Sequence, residues 1–438
     1  MNIIQITPGA GGMFCGGCLH DNALVTALRQ LGHDAVMLPL YLPPTLDETD
    51  QSAGNPIFFG GISVYLEQKF PLFRHAPHWL RHVLASRSLL KWAAGRAAKT
   101  RAEEAGDLAL SMLRGEAGHQ ARELDDLTGW LKAHHRPHVV CLSNGLLAGL
   151  ARRLRQELGV PVVCLLQGED MFLDGLPASH RGAAWQTLAE RASDIACFIA
   201  PSRYYARHMA ERLTLPTDRV RVVANGINLA GYGERRSAEQ GARNDGTPVL
   251  GYFARMCPEK GLDALVEAYL QLRKRPGLEK ARLRVGGSCG PADEPFVEQQ
   301  RAKLAAAGMT GEAEFFPNVD RAGKVRFLQS LSVLSVPALY GEAFGLYVLE
   351  ALAAGVPVVQ PRHAGFPELI EATGGGLLCE PGDPKALADT LALLLLNPAR
   401  AAELGKRGQQ AVREKFSAEC MARNIVRVFE ELTSGKSA

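Results

Sequence analysis

Twelve short apolar runs alternate with helical patterns along this chain, and that rhythm leaves few folds open. Six lie at Asn2–Thr7, Asp34–Leu40, His138–Ser143, Val160–Leu166, Ile195–Pro201 and Val220–Ala224. Six more lie at Val249–Phe253, Leu283–Gly286, Ala313–Phe316, Leu331–Val336, Val356–Gln360 and Gly376–Cys379. Strands alternating with helices predict parallel sheets covered on both faces. At 438 residues the chain exceeds one ordinary core. The expectation is an α/β protein of two Rossmann-like, doubly wound domains, 1–235 and 246–415, with a C-terminal helix over 416–438. The boundary is placed in Gly233–Gly246, which is polar and lacks apolar periodicity.

Composition narrows the function classes. A net charge of +3 gives no global argument for nucleic acid. No apolar run approaches the roughly 18–20 residues that span a bilayer, and the N-terminus enters a strand without a signal peptide, so a cytoplasmic protein is expected. Most of the nine cysteines fall inside strand-like runs, as reduced buried thiols do.

The most informative stretch is Leu339–Gly355, LYGEAFGLYVLEALAAG. It leaves one apolar run and enters a segment rich in helix formers, with Gly341 and Gly345 free to turn tightly. Glu342 falls at the carboxyl end of a strand, where open α/β sheets place ligands, and Glu350 falls two turns into the helix. The first amides of that helix, around Gly345–Tyr347, lack intrahelical partners and suit an anion. A ligand with phosphate in the middle and hydroxyls at both ends satisfies all three groups, and a nucleotide sugar is such a ligand.

The E-A-F-G-L-Y-V-L-E segment resembles the E-x7-E motif of retaining glycosyltransferases of the GT-B fold, family 4 type. The segment that follows, AAGVPVVQPRHAGFPELIEATGGGLLCEPGDPKALADTL, resembles the rest of that family's nucleotide-sugar domain. The resemblance implies two facing Rossmann-like domains, with the last helix crossing back onto the first. It implies a hexosyltransferase-type enzyme that moves a sugar from a nucleoside diphosphate donor, most often UDP, with retention and without a metal or cofactor. The absence of a D-x-D pair agrees with the last point.

The same resemblance assigns residues. Arg255 and Lys260, as R-x4-K-G after a strand, match the family's diphosphate-binding pair, and cations there neutralise a diphosphate. Glu342 would bind donor hydroxyls and Glu350 the ribose, with Phe344, Gly345 and Leu346 beside the donor. Gly286 would let the nucleotide approach, Val319 would lie by the base, and Gly365 near the donor sugar. Gly16 and Gly17 take the paired-glycine position of the loop that closes over the diphosphate. The lysine that glycogen and starch synthases carry just before that pair is absent. Where many relatives read His-Gly-x-Asp, this chain has Gln167-Gly168-Glu169-Asp170. An amide cannot act as a general base, so no catalytic histidine is carried over; at the carboxyl end of a strand, where a site is expected, Gln167, Glu169 and Asp170 are read as acceptor-side groups.

Several features stay open. Gly9, Gly11 and Gly12 approximate a dinucleotide fingerprint without fitting its spacing. Cys15 and Cys18 form a C-x-x-C lacking the further ligands of a zinc site, and two loop thiols near the ligand are favoured over a redox pair. A helical insertion is expected over 60–133. Within it, 69–101 carries eight Lys or Arg and no Asp or Glu, with Trp79 and Trp92. A solvated insertion packing on the sheet is the favoured reading; peripheral docking on an anionic inner membrane face and attraction of an anionic soluble acceptor are alternatives. Trp130 is expected in the core. The acceptor, a small molecule, glycan or lipid, is not readable. The rival readings are a nucleotide-sugar 2-epimerase on the same fold and a non-catalytic sugar- or nucleotide-binding protein.

Overall fold

The computed structural model describes residues 1–9, 15–60, 102–233 and 246–435. Gly11, Gly12 and the basic 69–101 stretch with Trp79 and Trp92 lie outside them. The chain divides into two compact units, Met1–Ala224 with Met421–Ala438, and Asn225–Cys420.

The first unit is built on β1 (Asn2–Thr7), β2 (Asp34–Pro39), β3 (Val139–Leu142), β4 (Val162–Leu165), β5 (Cys197–Ala200) and β6 (Val220–Val222). Their order is β2-β1-β3-β4-β5-β6 with every pairing parallel. All residues of β3, β4 and β5 are buried, as strands covered on both faces must be. Chain order reverses between β1 and β3, so loops leaving those strands diverge and open a crevice at their carboxyl ends. The helix Gly16–Gln30 follows β1 there and buries Cys18, His20 and Asp21 along with its apolar face.

The second unit carries β7 (Val249–Phe253), β8 (Arg282–Gly287), β9 (Ala313–Pro317), β10 (Val333–Leu334), β11 (Val358–Pro361) and β12 (Gly376–Cys379), in order β12-β11-β10-β7-β8-β9. Here the reversal falls between β7 and β10. Gly251 in the middle of β7 is explained by packing, since a Cβ there would lie 2.1 Å from Leu331 Cδ1. The β10 run is six residues long in the sequence reading but pairs over only two. Pro337 has no N–H to give to a neighbouring strand, and Ala338 N turns back to Val336 O.

Three expectations are corrected in detail. The division between units falls at Ala224, ahead of the polar 233–246 stretch. The reason is local, because Ile227 exchanges backbone hydrogen bonds with Phe416 and Ala418, and a Cβ on Gly226 would strike Ser417 O at 2.3 Å. The C-terminal segment grouped with the first unit begins at Met421 rather than 416. Trp130 is only half-buried, stacked on His134 at 5.0 Å rather than packed in the core. The described part of the insertion between β2 and β3 includes the helices Ala102–Arg114 and Ala121–His134. All nine cysteines are free. Among the described residues no helix is long and apolar enough to cross a membrane.

Candidate active site

The loops leaving β7 and β10 are stitched together before any side chain is considered. Gly261 has φ +71, and a Cβ there would lie 2.0 Å from Pro337 O, so only glycine lets the two loops close. Leu339 N donates to Glu259 O at 3.0 Å. Lys260, at the end of the turn Pro258–Lys260, is thereby carried against Glu342, and Nζ lies 2.6 Å from Oε2.

Two tyrosines complete this group. Lys260 also donates to Tyr340, and the hydroxyls of Tyr340 and Tyr347 donate to Glu342 Oε2 at 3.0 and 2.9 Å. All three donors converge on one oxygen, and no described residue donates to Oε1. The Lys260 and Glu342 side chains are 20% and 12% exposed. Burial pushes the Glu342 carboxyl up, but Lys260 and the two hydroxyls outweigh it and hold it below its ordinary 4.5. Because the folded value lies below the unfolded one, this contribution is present above about pH 4.5 and is lost as pH falls through the folded value. Urea unfolding of the wild type should therefore lose stability more steeply below pH 4.5 than Glu342→Gln does. Parallel curves would show that Glu342 is not charged in the folded state.

Arg255 takes a separate partner. Its Nε and Nη2 bind Asp293 side-on, Nε at 3.1 Å from both carboxylate oxygens and Nη2 at 2.9 Å from Oδ1. Asp293 is buried and also accepts from Gly290 N at 3.0 Å, whereas half of the Arg255 side chain faces solvent. The buried carboxylate therefore aims an exposed guanidinium. Arg255, Lys260, Asp293 and Glu342 sum to zero formal charge, so an anion here meets oriented donors rather than a net positive patch.

The helix Leu346–Ala353 starts as read, with Gly345 at φ +90 before it. Phe344 is buried with its ring 6.3 Å from that of Phe416, and Leu346 is half-buried. Gly365 N donates to Glu342 O at 3.0 Å, so the loop after β11 backs the Glu342 turn. Glu350 is paired with Lys324, 2.6 Å from Nζ to Oε1. At Gly286 a Cβ would meet Phe253 at 2.7 Å and Phe327 at 3.0 Å, so the glycine makes room for a half-buried and a buried ring. Val319 is half-buried in the loop after β9, one residue past Asn318, whose side chain donates to Cys289 O and accepts from Cys289 N.

In the first unit, Gln167 at the end of β4 meets the start of the helix Gly16–Gln30. Its Nε2 donates to Ser143 O at 3.0 Å and faces His20 Nδ1 at 3.2 Å and Asp21 Oδ1 at 3.4 Å. Two acceptors, Ser143 O and Asp21 Oδ1, orient the amide nitrogen. The carbonyl oxygen turns instead towards Gly17, 3.4 Å from where a Cβ would stand, while a Cβ on Gly16 meets nothing within 4 Å.

Glu169 and Asp170, read as acceptor-side groups, are each held by protein partners. Glu169 Oε1 accepts from Gly145 N at 2.9 Å, and Oε2 from Gln167 N at 2.7 Å and the Tyr205 hydroxyl at 3.3 Å. Asp170 takes Tyr205 at 2.7 Å and His208 at 3.1 Å. Both carboxylates are buried. Burial pushes the Glu169 carboxyl up, against the backbone amides that favour its charge. These two acids tie the loops after β3, β4 and β5 together and so position Gln167. Asp293, Lys324 and Tyr205 had no distinguishing signal in the sequence, because each is identified by a partner 26 to 38 residues away.

With this geometry in view, comparison with known proteins is specific. Residues 234–411 match the family described as glycosyl transferases group 1, and residues 22–226 match the glycosyl transferase 4-like domain. The chain is 30% identical over 226 residues to a D-inositol 3-phosphate glycosyltransferase of Corynebacterium efficiens, covering 50% of this chain and 52% of that protein. It is 34% identical over 183 residues to a phosphatidyl-myo-inositol mannosyltransferase of Mycobacterium leprae, covering 41% and 45%. The chain thus spans about half the length of these curated relatives. The crystal structure of Anabaena HepE in complex with UDP superposes with a TM-score of 0.68 at 15% identity, over 99% of this chain and 100% of that one. Sucrose-phosphate synthase from Thermosynechococcus elongatus gives 0.69 at 18%, over the full length of both. Two parallel six-stranded sheets, the two family matches and these neighbours agree: the chain belongs to the group 1, family 4-type glycosyltransferases of the GT-B fold.

Proposed function

We propose that this protein transfers a sugar from a nucleoside diphosphate donor, UDP foremost, to a hydroxyl of a polyol acceptor, with retention at the anomeric carbon. The observation that carries the reading is the convergence of Lys260, Tyr340 and Tyr347 on one oxygen of Glu342. That arrangement leaves Oε1 to accept a hydrogen bond from a donor-sugar hydroxyl, beside a lysine able to meet the diphosphate. Arg255, aimed by Asp293, supplies further donors as charge builds on the leaving phosphate. Donors fixed where charge develops act without reorganising, which is often the largest catalytic term. Glu350 binds the ribose from its place beside Lys324.

The acceptor proton goes to the leaving phosphate, so no protein base is required. Gln167 fits this, since its fixed carbonyl oxygen accepts a hydrogen bond and holds a hydroxyl without removing its proton. A polyol is suggested by relatives whose names specify inositol phosphate and phosphatidylinositol.

The test is thermal unfolding against UDP, GDP, ADP, CDP, dTDP and NAD, each in EDTA, followed by transfer assays with inositol phosphates. A ligand at a hundred times its Kd adds about 2.7 kcal/mol, a shift of several degrees for domains of this size. The expected result is a shift with one nucleoside diphosphate that Glu350→Ala weakens about tenfold in affinity. A shift with NAD alone would overturn the reading, and donor interconversion without acceptor would move it to an epimerase.

A further inference from the structure

Cys15 and Cys18 are the two ends of C-G-G-C, and the residues between them are Gly16 and Gly17, the pair that the family resemblance assigns to the loop over the donor diphosphate. Cys15 occupies the N-cap of the helix Gly16–Gln30 with extended backbone, and its side chain makes no capping bond. Cys18 sits in the first turn, buried, 3.9 Å from Thr7 Oγ1. The Cys15 sulfur turns back over the intervening pair, 3.8 Å from where a Cβ on Gly17 would stand. Residues three apart around a helix start have Cα atoms about 5 Å apart, inside the range that a disulfide bridges.

The two sulfurs are chemically unequal. Cys15 is partly exposed, and chiefly the Cys18 S–H bond brings its thiol down to about 7, with help from the Cys18 and Gly17 amides and against burial. A helix N-terminus favours a thiolate in the same way. The bond to Cys15 and burial push Cys18 up. Elsewhere, burial pushes Cys141, Cys164, Cys197, Cys257 and Cys379 up and shields them. Asp21 lies one turn beyond Cys18 on the same helix face, wholly buried. Its Oδ2 accepts no hydrogen bond among the described residues, while Oδ1 meets His20 and Gln167.

We propose that Cys15 and Cys18 are a reversible disulfide-forming site for small-molecule disulfides, with Cys15 as the attacking thiolate, Cys18 as the resolving thiol and Asp21 as the base that deprotonates it. In the first step the Cys15 sulfur attacks one sulfur of an external disulfide RSSR. The S–S bond breaks, Cys15–S–S–R forms, and RS⁻ leaves to be protonated by solvent. In the second step Asp21 takes the Cys18 proton, and the Cys18 sulfur attacks Cys15. That expels a second RS⁻, which recovers the proton through Asp21 or solvent. One external disulfide is reduced to two thiols and the protein dithiol is oxidised, so electrons and protons balance. The ring that closes encloses Gly16 and Gly17 and removes the backbone freedom those glycines supply. Its expected consequence, weaker diphosphate binding, rests on the transferase reading; the thiol chemistry does not.

The test equilibrates the full-length protein at pH 7 with reduced and oxidised glutathione across about −300 to −120 mV, traps free thiols and locates them by peptide mass. Cys15 and Cys18 should disappear together at one midpoint with loss of two hydrogens. Cys18→Ser should hold glutathione on Cys15, Cys15→Ser should leave Cys18 unmodified, and Asp21→Asn should slow resolution of the mixed disulfide about tenfold. Both thiols surviving across the whole range, or Cys18 reacting without Cys15, would overturn the proposal. Reduced and oxidised protein are then compared in the nucleoside diphosphate melt. A shift of equal size in both forms removes the effect on binding, and no shift in either form counts against the transferase reading while the thiol result stands.

Discussion

Lys260→Ala is expected to lower kcat about a hundredfold or more, the scale of losing one donor at a centre of developing charge. The lysine does two things that the structure lets one separate. In the proposed reaction it meets the diphosphate, and in the structure it neutralises Glu342, whose side chain is 12% exposed and held by two tyrosines. Removing it leaves a largely buried carboxylate short of its cation, which costs about 2–3 kcal/mol once partial exposure is discounted. The double variant Lys260→Ala with Glu342→Gln should recover most of that stability and none of the turnover. Lys260→Arg should rescue little, because a planar fork does not replace a compact ammonium enclosed by Tyr340 and Tyr347. Wild-type turnover in Lys260→Ala, measured on folded protein, would remove the lysine from the reaction.

Arg255→Ala should also cost about a hundredfold in kcat, and it should lower stability as well, because the exposed arginine is the cation that the buried Asp293 carboxylate holds. Asp293 provides the sharper comparison. Asp293→Asn keeps the shape but weakens the side-on clamp that accepts from Nε and Nη2, so the guanidinium stays present and loses its aim. A tenfold or so fall in kcat with little change in KM is expected, smaller than for loss of the arginine itself. Equal losses in both variants would mean that Asp293 touches the substrate rather than positioning Arg255. No loss in either would place the diphosphate elsewhere.

What could be read before folding and what could not divides along sequence distance. Arg255 with Lys260, and Glu342 with Glu350, stood out because the spacing of each pair falls within a single strand–loop–helix unit. Their partners did not, because Asp293 lies 38 residues from Arg255, Tyr340 lies 80 from Lys260, and Glu350 meets Lys324 from a neighbouring helix. Glu169 and Asp170 looked like ligands for the same reason. Acids at a strand's carboxyl end read as a site until Gly145, Tyr205 and His208 are seen to occupy their oxygens.

The sequence alone determined the twelve strands, their parallel pairing and the helix starting at Leu346, because apolar periodicity and glycine placement act over a few residues. Tertiary structure alone decided which carboxylates are enclosed, which cation each one holds, which way the Gln167 amide turns, and that Cys18 is buried while Cys15 stays partly exposed. Those outcomes depend on desolvation and on donors arriving from distant loops, and both exist only once the sheet has brought the strand ends together.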